Sequence, residues 1–473
     1  MENTLFENEL KVVNLGLASF ADSIADVGGS ALQIDWQPPA FGDAEVGKHL
    51  ALTMNNPLID DANQLAFARY QAAAPRLVGV GTAGEDLPEM SERMILHAGP
   101  PIEWDRMCGP MKGAILGAIL FEGWASNIED AQVLAGSGEI AFEPCHHHNS
   151  VGPMAGVISP SMPVWIVHNP EVGNASFCNL NEGLGKALRF GANGPEVLER
   201  LHWMKDVLGP VLRDAVGELG YLDLKPIMAQ ALHMGDEVHN RNVAASALLL
   251  KVLAPALLDT GRPLQEINSV LRFIISNDHF FLNLSMAACK SMLDAAAGVP
   301  NSSMVVAMAR NGVEFGVRLS GAAGAWFTTP APLVDGLFFP GYTSEDAAPD
   351  LGDSSITETA GVGGFAMATS PAIVQFVGGT PSDAQEYTRE MTHITLGRNA
   401  GFTLPALNFT GTPAGIDCRS VVDTGIAPII NTGIAHKEAG VGQIGAGITR
   451  APLSCFNQAV TALAENLFEN SGD

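Results

Sequence analysis

Cations are scarce in this 473-residue chain: 25 Lys and Arg stand against 51 Asp and Glu, a formal net charge of −26. Such a surface repels phosphate backbones and anionic headgroups, so nucleic acid and membrane are poor partners. The same field opposes an anionic substrate, so any site for one must bring its own Arg, Lys or backbone N–H groups. Cysteine is sparse as well. The six residues show no C-x-x-C pair and no disulfide-like spacing, which suits a reducing cytoplasm. Long apolar runs are missing: Val243–Leu258 is interrupted by Lys251 and Pro255 and is too short and broken to span a bilayer. The opening Met1-Glu2-Asn3-Thr4 is acidic rather than basic and does not read as a secretion signal. Nucleotide motifs are lacking too. The turn Gly16-Leu17-Ala18-Ser19 has no G-x-G-x-x-G, and Gly352–Gly361 is not a Walker A loop.

What is present is a chain that is 47% hydrophobic, with 51 Gly and 29 Pro: rich in turns, yet too apolar to be disordered. Its length calls for roughly two to four domains. An α/β and α+β multidomain protein is expected, divided at about residues 90, 194 and 299. Residues 1–90 alternate short strands (Lys11–Gly16, Leu32–Trp36, Arg76–Val80) with helical stretches around Phe20–Val27 and Asp60–Ala74, which predicts a Rossmann-like parallel unit. Residues 91–194 are Gly-, Pro- and His-rich, with a small-residue helix at Lys112–Trp124. Residues 195–299 carry apolar side chains at helical spacing (Val197, Leu201, Met204, Leu208, Val211) and predict an all-helical domain in which Asp223 caps one helix. From 300 to 473 strands return among Gly-rich loops. Arg310-Asn311-Gly312 between two apolar runs predicts a hairpin.

Three of the twelve histidines stand side by side in Glu143-Pro144-Cys145-His146-His147-His148-Asn149, next to a thiol and ahead of a Gly152–Gly156 turn. Neutral imidazoles still need partners when buried, so such a run is a poor way to build a core. An active-site loop is the better account than a solvated one. Thiolate and imidazole bind zinc and other transition metals, so a metal at Cys145, His146 and His148 is one reading, although distant ligands would be needed to complete it. On an extended chain only His146 and His148 face the same way. The metal-free reading makes either one a general base or a donor to a developing oxyanion.

Other clusters carry weaker signals. In a helix, His233, Glu237 and Arg241 share a face at i, i+4 and i+8, as a site wall or as a salt-bridged surface. Gly235 can break that helix. The hairpin turn explains Asn311 and Gly312 by itself, but it can also aim Arg310 at an anion in bidentate fashion. Asp353, Ser354, Ser355 and Glu358, flanked by Gly352 and Gly361, can form a backbone nest for an anion. His436 and Lys437 precede four glycines, and Lys437 offers a charge for phosphate or is simply a surface lysine. His97, just before Gly99-Pro100-Pro101, is more often structural.

These segments together resemble one family. Val13–Leu17, Asp35–Pro39, His97–Ile102, Cys108–Gly113, Pro144–His148, Gly152–Gly156, Ala231–Asn242, Met308–Gly316, Gly352–Glu358 and Asn431–Gly447 match the YahG/YlbE-type proteins over nearly the whole chain. One branch, the AllG type, is a subunit of oxamate carbamoyltransferase, which interconverts oxalurate plus phosphate with oxamate plus carbamoyl phosphate. The resemblance implies a helical insert between mixed α/β domains. It also implies an FdrA-like partner related to acyl-CoA synthetase subunits, alongside other carbamoyltransferase subunits. A small anionic substrate and phosphate go with it, and a homo-oligomer is expected, with the site completed at a domain or subunit interface. For carbamoyl transfer, Arg310, Lys437 and the Gly352–Ser355 backbone would hold phosphate, and His146, His148 or His97 would polarise the carbonyl. Glu237 or a neutral histidine such as His233 would take the proton, with Asn311, Glu358, His436 and Arg241 around the substrate. The S-T-R-T motif of familiar carbamoyltransferases is absent, so the site cannot be mapped from them. Two rivals stand beside this reading: a metal-dependent hydrolase or lyase built on the Cys-His-His-His loop, and a non-catalytic partner of an FdrA-like protein.

Overall fold

The computed structural model describes residues 11–471 except Asp35, Gln37 and Ala323. Met1–Thr4 lies outside the described residues. At the N-terminus Val12–Asn14 and Ala31–Gln33 pair in parallel, joined by the helix Ala18–Asp26. The third strand of the expected Rossmann-like unit forms, as Arg76–Thr82, but it lies elsewhere. It pairs antiparallel with Pro163–Asn169 in a five-stranded sheet ordered 222–223, 76–82, 163–169, 174–179 and 150–151. The reason is length: a seven-residue strand finds a seven-residue partner there, whereas the three-residue N-terminal strands offer almost no edge to pair with.

Local chemistry sets the helices. Asn56 accepts from the Leu58 N–H and Pro57 occupies the first turn, so the helix runs Pro57–Ala72 rather than the expected Asp60–Ala74. Gly109–Phe121 packs closely because a Cβ on Gly113 would stand 2.4 Å from the Gly191 carbonyl oxygen. Between 195 and 299 the elements are helices joined by short turns, apart from Leu222–Asp223, a two-residue strand that pairs with Arg76 and Leu77. Asp223 therefore does not cap the next helix; it accepts from Arg76 Nε at 2.9 Å instead. Leu224–His233 ends at His233, and Gly235 turns the chain at φ +93. His233, Glu237 and Arg241 consequently share no helix face, contrary to the i, i+4, i+8 reading. Leu282–Ala296 is buried along nearly its whole length, Lys290 included.

The expected hairpin forms from Val305–Asn311 and Glu314–Leu319. Gly312, at φ +81, takes the positive-φ position, while Asn311 Oδ1 accepts from the Val313 and Glu314 N–H groups. Phe327–Pro330 flanks the hairpin on one side and Leu351–Gly352 on the other. Its apolar face packs with the helices Cys418–Thr424 and Leu453–Ser471 in one core. A larger core gathers side chains from Ala62 to Ala435. Among the described residues no helix is long and apolar enough to cross a membrane.

Candidate functional site

Met94–His97 runs parallel to Ala141–Pro144, with His97 opposite Pro144. This register sets the His97 turn beside the histidine run. The run itself is a 3₁₀ turn, Cys145–His148, closed by Asn149 at φ +53. Successive side chains of a 3₁₀ turn point about 120° apart, so the three histidines diverge rather than alternate. His146 turns inward, the exposed His147 meets Trp326 and Glu143, and His148 Nδ1 contacts the Pro88 carbonyl at 2.7 Å.

Behind His146 lies Asp353, wholly buried. Its Oδ1 accepts from Gly99 N–H at 2.7 Å and its Oδ2 from Gly152 N–H at 2.9 Å, stitching three loops together. The approach demands glycine: at Gly352, φ is +113 and a Cβ would stand 2.4 Å from the Met154 nitrogen. His146 Nε2 is 3.6 Å from Asp353 Oδ1, and neither ring nitrogen of His146 has a hydrogen-bond partner. Burial pushes Asp353 up to about 7, against the lowering effect of the Gly99 and Gly152 N–H groups, Arg310 and Lys290. Burial, with Lys290 and Arg318 nearby, holds His146 well below the usual histidine range. Burial also lowers His97 to about 4, and its Nδ1 is engaged with the Ala98 carbonyl.

In front of His146 opens a cleft of about 590 Å³, a volume typical of small-molecule sites. His146, His147 and Asn149 come from the turn, Lys290 and Asp294 from the buried helix, Arg318 from the hairpin, and Asn174 from the sheet. Lys290 Nζ lies 2.6 Å from Asp294. Arg318 makes no ion pair among the described residues; its guanidinium lies over the Trp326 ring, 5.5 Å from the centroid. Burial lowers both cations from their ordinary values. Two cations face one carboxylate, leaving an excess positive charge in a desolvated recess of a strongly acidic molecule. An anion entering here restores what burial removed.

Of the residues given a chemical role from the sequence, only His146 lines this cleft, beside its loop neighbours His147 and Asn149, with Asp353 directly behind. Arg310 is buried, and all five of its N–H groups are engaged: Nε and Nη2 with Asp350 at 2.7 and 2.8 Å, Nη2 also with Thr432, and Nη1 with the Gly352 carbonyl and Ser354. A phosphate would have to displace Asp350. Asn311 is spent on the turn and on Pro100. Ser355 donates to the Met308 carbonyl. Glu358 accepts from His239, Thr357 and Gly364. Glu237 closes the 237–241 turn by accepting from the Asn240 and Arg241 N–H groups, and burial raises its carboxyl. Arg241 stands 3.9 Å from Asp236. His233 is exposed against Thr403 and Phe409, and His436 and the exposed Lys437 sit at another surface beside Tyr342 and Glu345. The sequence motifs thus build a buried junction more than a binding surface.

The cleft residues Lys290, Asp294, Arg318 and Asn174 escaped the sequence reading, which marked His147 and Asn149 as part of the histidine loop without giving either a role. One signal was there: Lys290 and Asp294, spaced i, i+4, are the only charges in Leu282–Ala296. The Cys145, His146 and His148 side chains do not converge. Cys145 Sγ contacts the Gly156 carbonyl, and burial pushes its thiol well up. Among the described residues no group of three or more His, Cys, Asp or Glu is arranged to hold a metal ion.

Comparison with known proteins adds to this geometry. A family model described as oxamate carbamoyltransferase subunit AllG matches residues 140–354, a span that contains every residue lining the cleft. The uncharacterized protein YahG of Escherichia coli (strain K12) is 49% identical over 468 residues, 98% of this chain and 99% of that one. The oxamate carbamoyltransferase subunit AllG of the same organism is 50% identical over 412 residues, 86% of this chain and 98% of that one. The crystal structure of a conserved protein of unknown function from Enterococcus faecalis V583 superimposes with a TM-score of 0.85 at 52% identity, covering 86% of this chain and 98% of that chain. With half its residues shared over such lengths, the chain belongs to the family of YahG and AllG.

Proposed function

We propose that this chain is a subunit of an oxamate-carbamoyltransferase-like complex. It would move a carbamoyl group between carbamoyl phosphate and a small amide or ureido acid, beside an FdrA-like protein and other subunits in the cytoplasm. The observation that carries the reading is the cleft, where Lys290 and Arg318 supply a desolvated anion cradle against the wall formed by His146. Both substrates of such a reaction are small anions, and a chain of net charge −26 binds them only where it concentrates cations.

In the forward sense the acceptor nitrogen attacks the carbamoyl carbon, an N–C bond forms, and the C–O bond to phosphate breaks with its electron pair leaving on oxygen. Arg318 and Lys290 bind that phosphate and stabilise the charge it gains. Asn149, exposed where it lines the cleft, supplies an amide group to orient the acceptor. The nitrogen's proton passes to the departing phosphate, whose oxygens gain the electron pair of the broken C–O bond, while His146 and Asp353, neither with an exposed side chain, form the wall behind.

The test is phosphorolysis by the complex co-expressed with its FdrA-like neighbour: oxalurate and related ureido acids are offered with phosphate, and carbamoyl phosphate is detected through carbamate kinase. Arg318→Ala should raise the KM for phosphate about 10- to 100-fold, the loss of one charge-assisted interaction of about 1.5–3 kcal/mol, and leave thermal stability unchanged. Absence of carbamoyl phosphate from every ureido acid, or an Arg318→Ala enzyme with wild-type KM, would sink the proposal.

A further inference from the structure

Arg318 is the cation of the cleft that no polar contact holds. Its guanidinium nitrogens make no hydrogen bond and no ion pair among the described residues, and none of them is sealed from solvent. Lys290, by contrast, is held by Asp294 at 2.6 Å. A long side chain left loose must be ordered when a ligand arrives, at a cost in affinity. What fixes the guanidinium is the Trp326 ring, 5.5 Å away. Trp326 does not line the cleft; it backs Arg318.

Three elements hold that ring still. Phe327, the next residue, pairs opposite Val317, which brings Trp326 alongside Arg318. Gly316 and Arg318 share one face of Glu314–Leu319, and bare backbone at Gly316 leaves room for the indole: a Cβ there would stand 2.7 Å from Trp326 Cε3. The indole Nε1–H donates to His147 Nε2 at 3.0 Å. An indole N–H only donates, so Nε2 accepts and the proton of the neutral His147 ring rests on Nδ1, 3.5 Å from Glu143 Oε2. The His146 ring meets the indole edge to face, with centroids 5.5 Å apart.

We propose that Trp326 is a positioning residue of the cleft, whose ring holds the Arg318 guanidinium ready to capture a small oxyanion, phosphate or carboxylate, in bidentate fashion. The inference rests on the cleft being the anion site of the proposed function. A cation over an aromatic face is attracted by the ring quadrupole, more strongly where water is excluded, and a stacked guanidinium keeps its N–H groups for the ligand. A carboxylate would fix Arg318 equally well but would compete with the incoming anion, as Asp350 does at Arg310.

The experiment is titration calorimetry of the full chain with inorganic phosphate and, separately, with oxamate. Trp326→Leu removes the ring and should weaken both about 10-fold. Trp326→Phe keeps a ring without the N–H and should stay within about 3-fold of wild type. Gly316→Ala, which crowds the indole and leaves Trp326 in place, should weaken both anions as well. Because Trp326 acts through Arg318, adding Trp326→Leu to Arg318→Ala should cause no further loss. Binding that weakens on Arg318→Ala but not on Trp326→Leu or Gly316→Ala overturns the inference and leaves the cleft reading standing. Equal weakening by Trp326→Leu with and without Arg318 also overturns it, since the ring would then serve packing alone. A wild-type chain that binds neither anion, or binds them as well without Arg318, removes the cleft reading and this inference together.

Discussion

Replacing Arg310 with Met decides whether that residue is a ligand for phosphate or a strut. In the fold it is fully buried, and its guanidinium supplies hydrogen bonds to both carboxylate oxygens of Asp350, itself 2% exposed. Removing one partner of a buried pair leaves the other charge uncompensated, at about 3–5 kcal/mol. The Gly352 carbonyl and Thr432 lose donors as well. If the whole chain unfolded as one unit, its unfolding entropy of about 1 kcal/mol/K would turn that loss into a fall of about 4 °C in the melting temperature, and a smaller cooperative unit would fall further. The double variant Arg310→Met/Asp350→Leu should recover most of the loss, because no buried charge is left unpaired. Differential scanning calorimetry on the single and double variants measures this directly. An Arg310→Met protein that melts within 1 °C of wild type, yet binds phosphate 100-fold more weakly, would refute the structural role and restore the anion-binding one.

Two further perturbations follow from the same junction. Asp353 has a folded value of about 7, above its ordinary 3.8. The stability it contributes is therefore fully present below about pH 4 and lost as pH rises through 7, on the order of 4 kcal/mol if the whole shift is realised. Urea unfolding of wild type and Asp353→Asn from pH 4 to pH 9 should give a difference curve that favours wild type least at high pH, and two parallel profiles would contradict it. Gly352→Ala forces a Cβ to 2.4 Å from the Met154 nitrogen at φ +113 and should cost more than about 2 kcal/mol, whereas Gly217→Ala, in the last turn of its helix with nothing within 4 Å, should gain about 0.5 kcal/mol. Equal melting temperatures for the two variants would refute the close approach.

The sequence by itself determined the elements whose signals are local. Asn56-Pro57 starts a helix, the small residues of Gly109–Phe121 pack one closely, and Asn311-Gly312 turns a hairpin, because caps, glycines and periodicity act within a few residues. It also marked Cys145–His148 and Gly352–Glu358 as places where the chain does something unusual. Tertiary structure alone decided what that was. Whether His146 faces a cleft while His148 faces Pro88 depends on a 3₁₀ turn whose hydrogen bonds the sequence does not display. Whether Arg310 meets an anion or Asp350 depends on a carboxylate 40 residues away. The third strand left the N-terminal unit because its matching edge lies in Pro163–Asn169, far along the chain. The cleft joins a buried helix, a hairpin and a loop, so Lys290 and Arg318 become neighbours of His146 only once long-range packing closes those elements around one cavity.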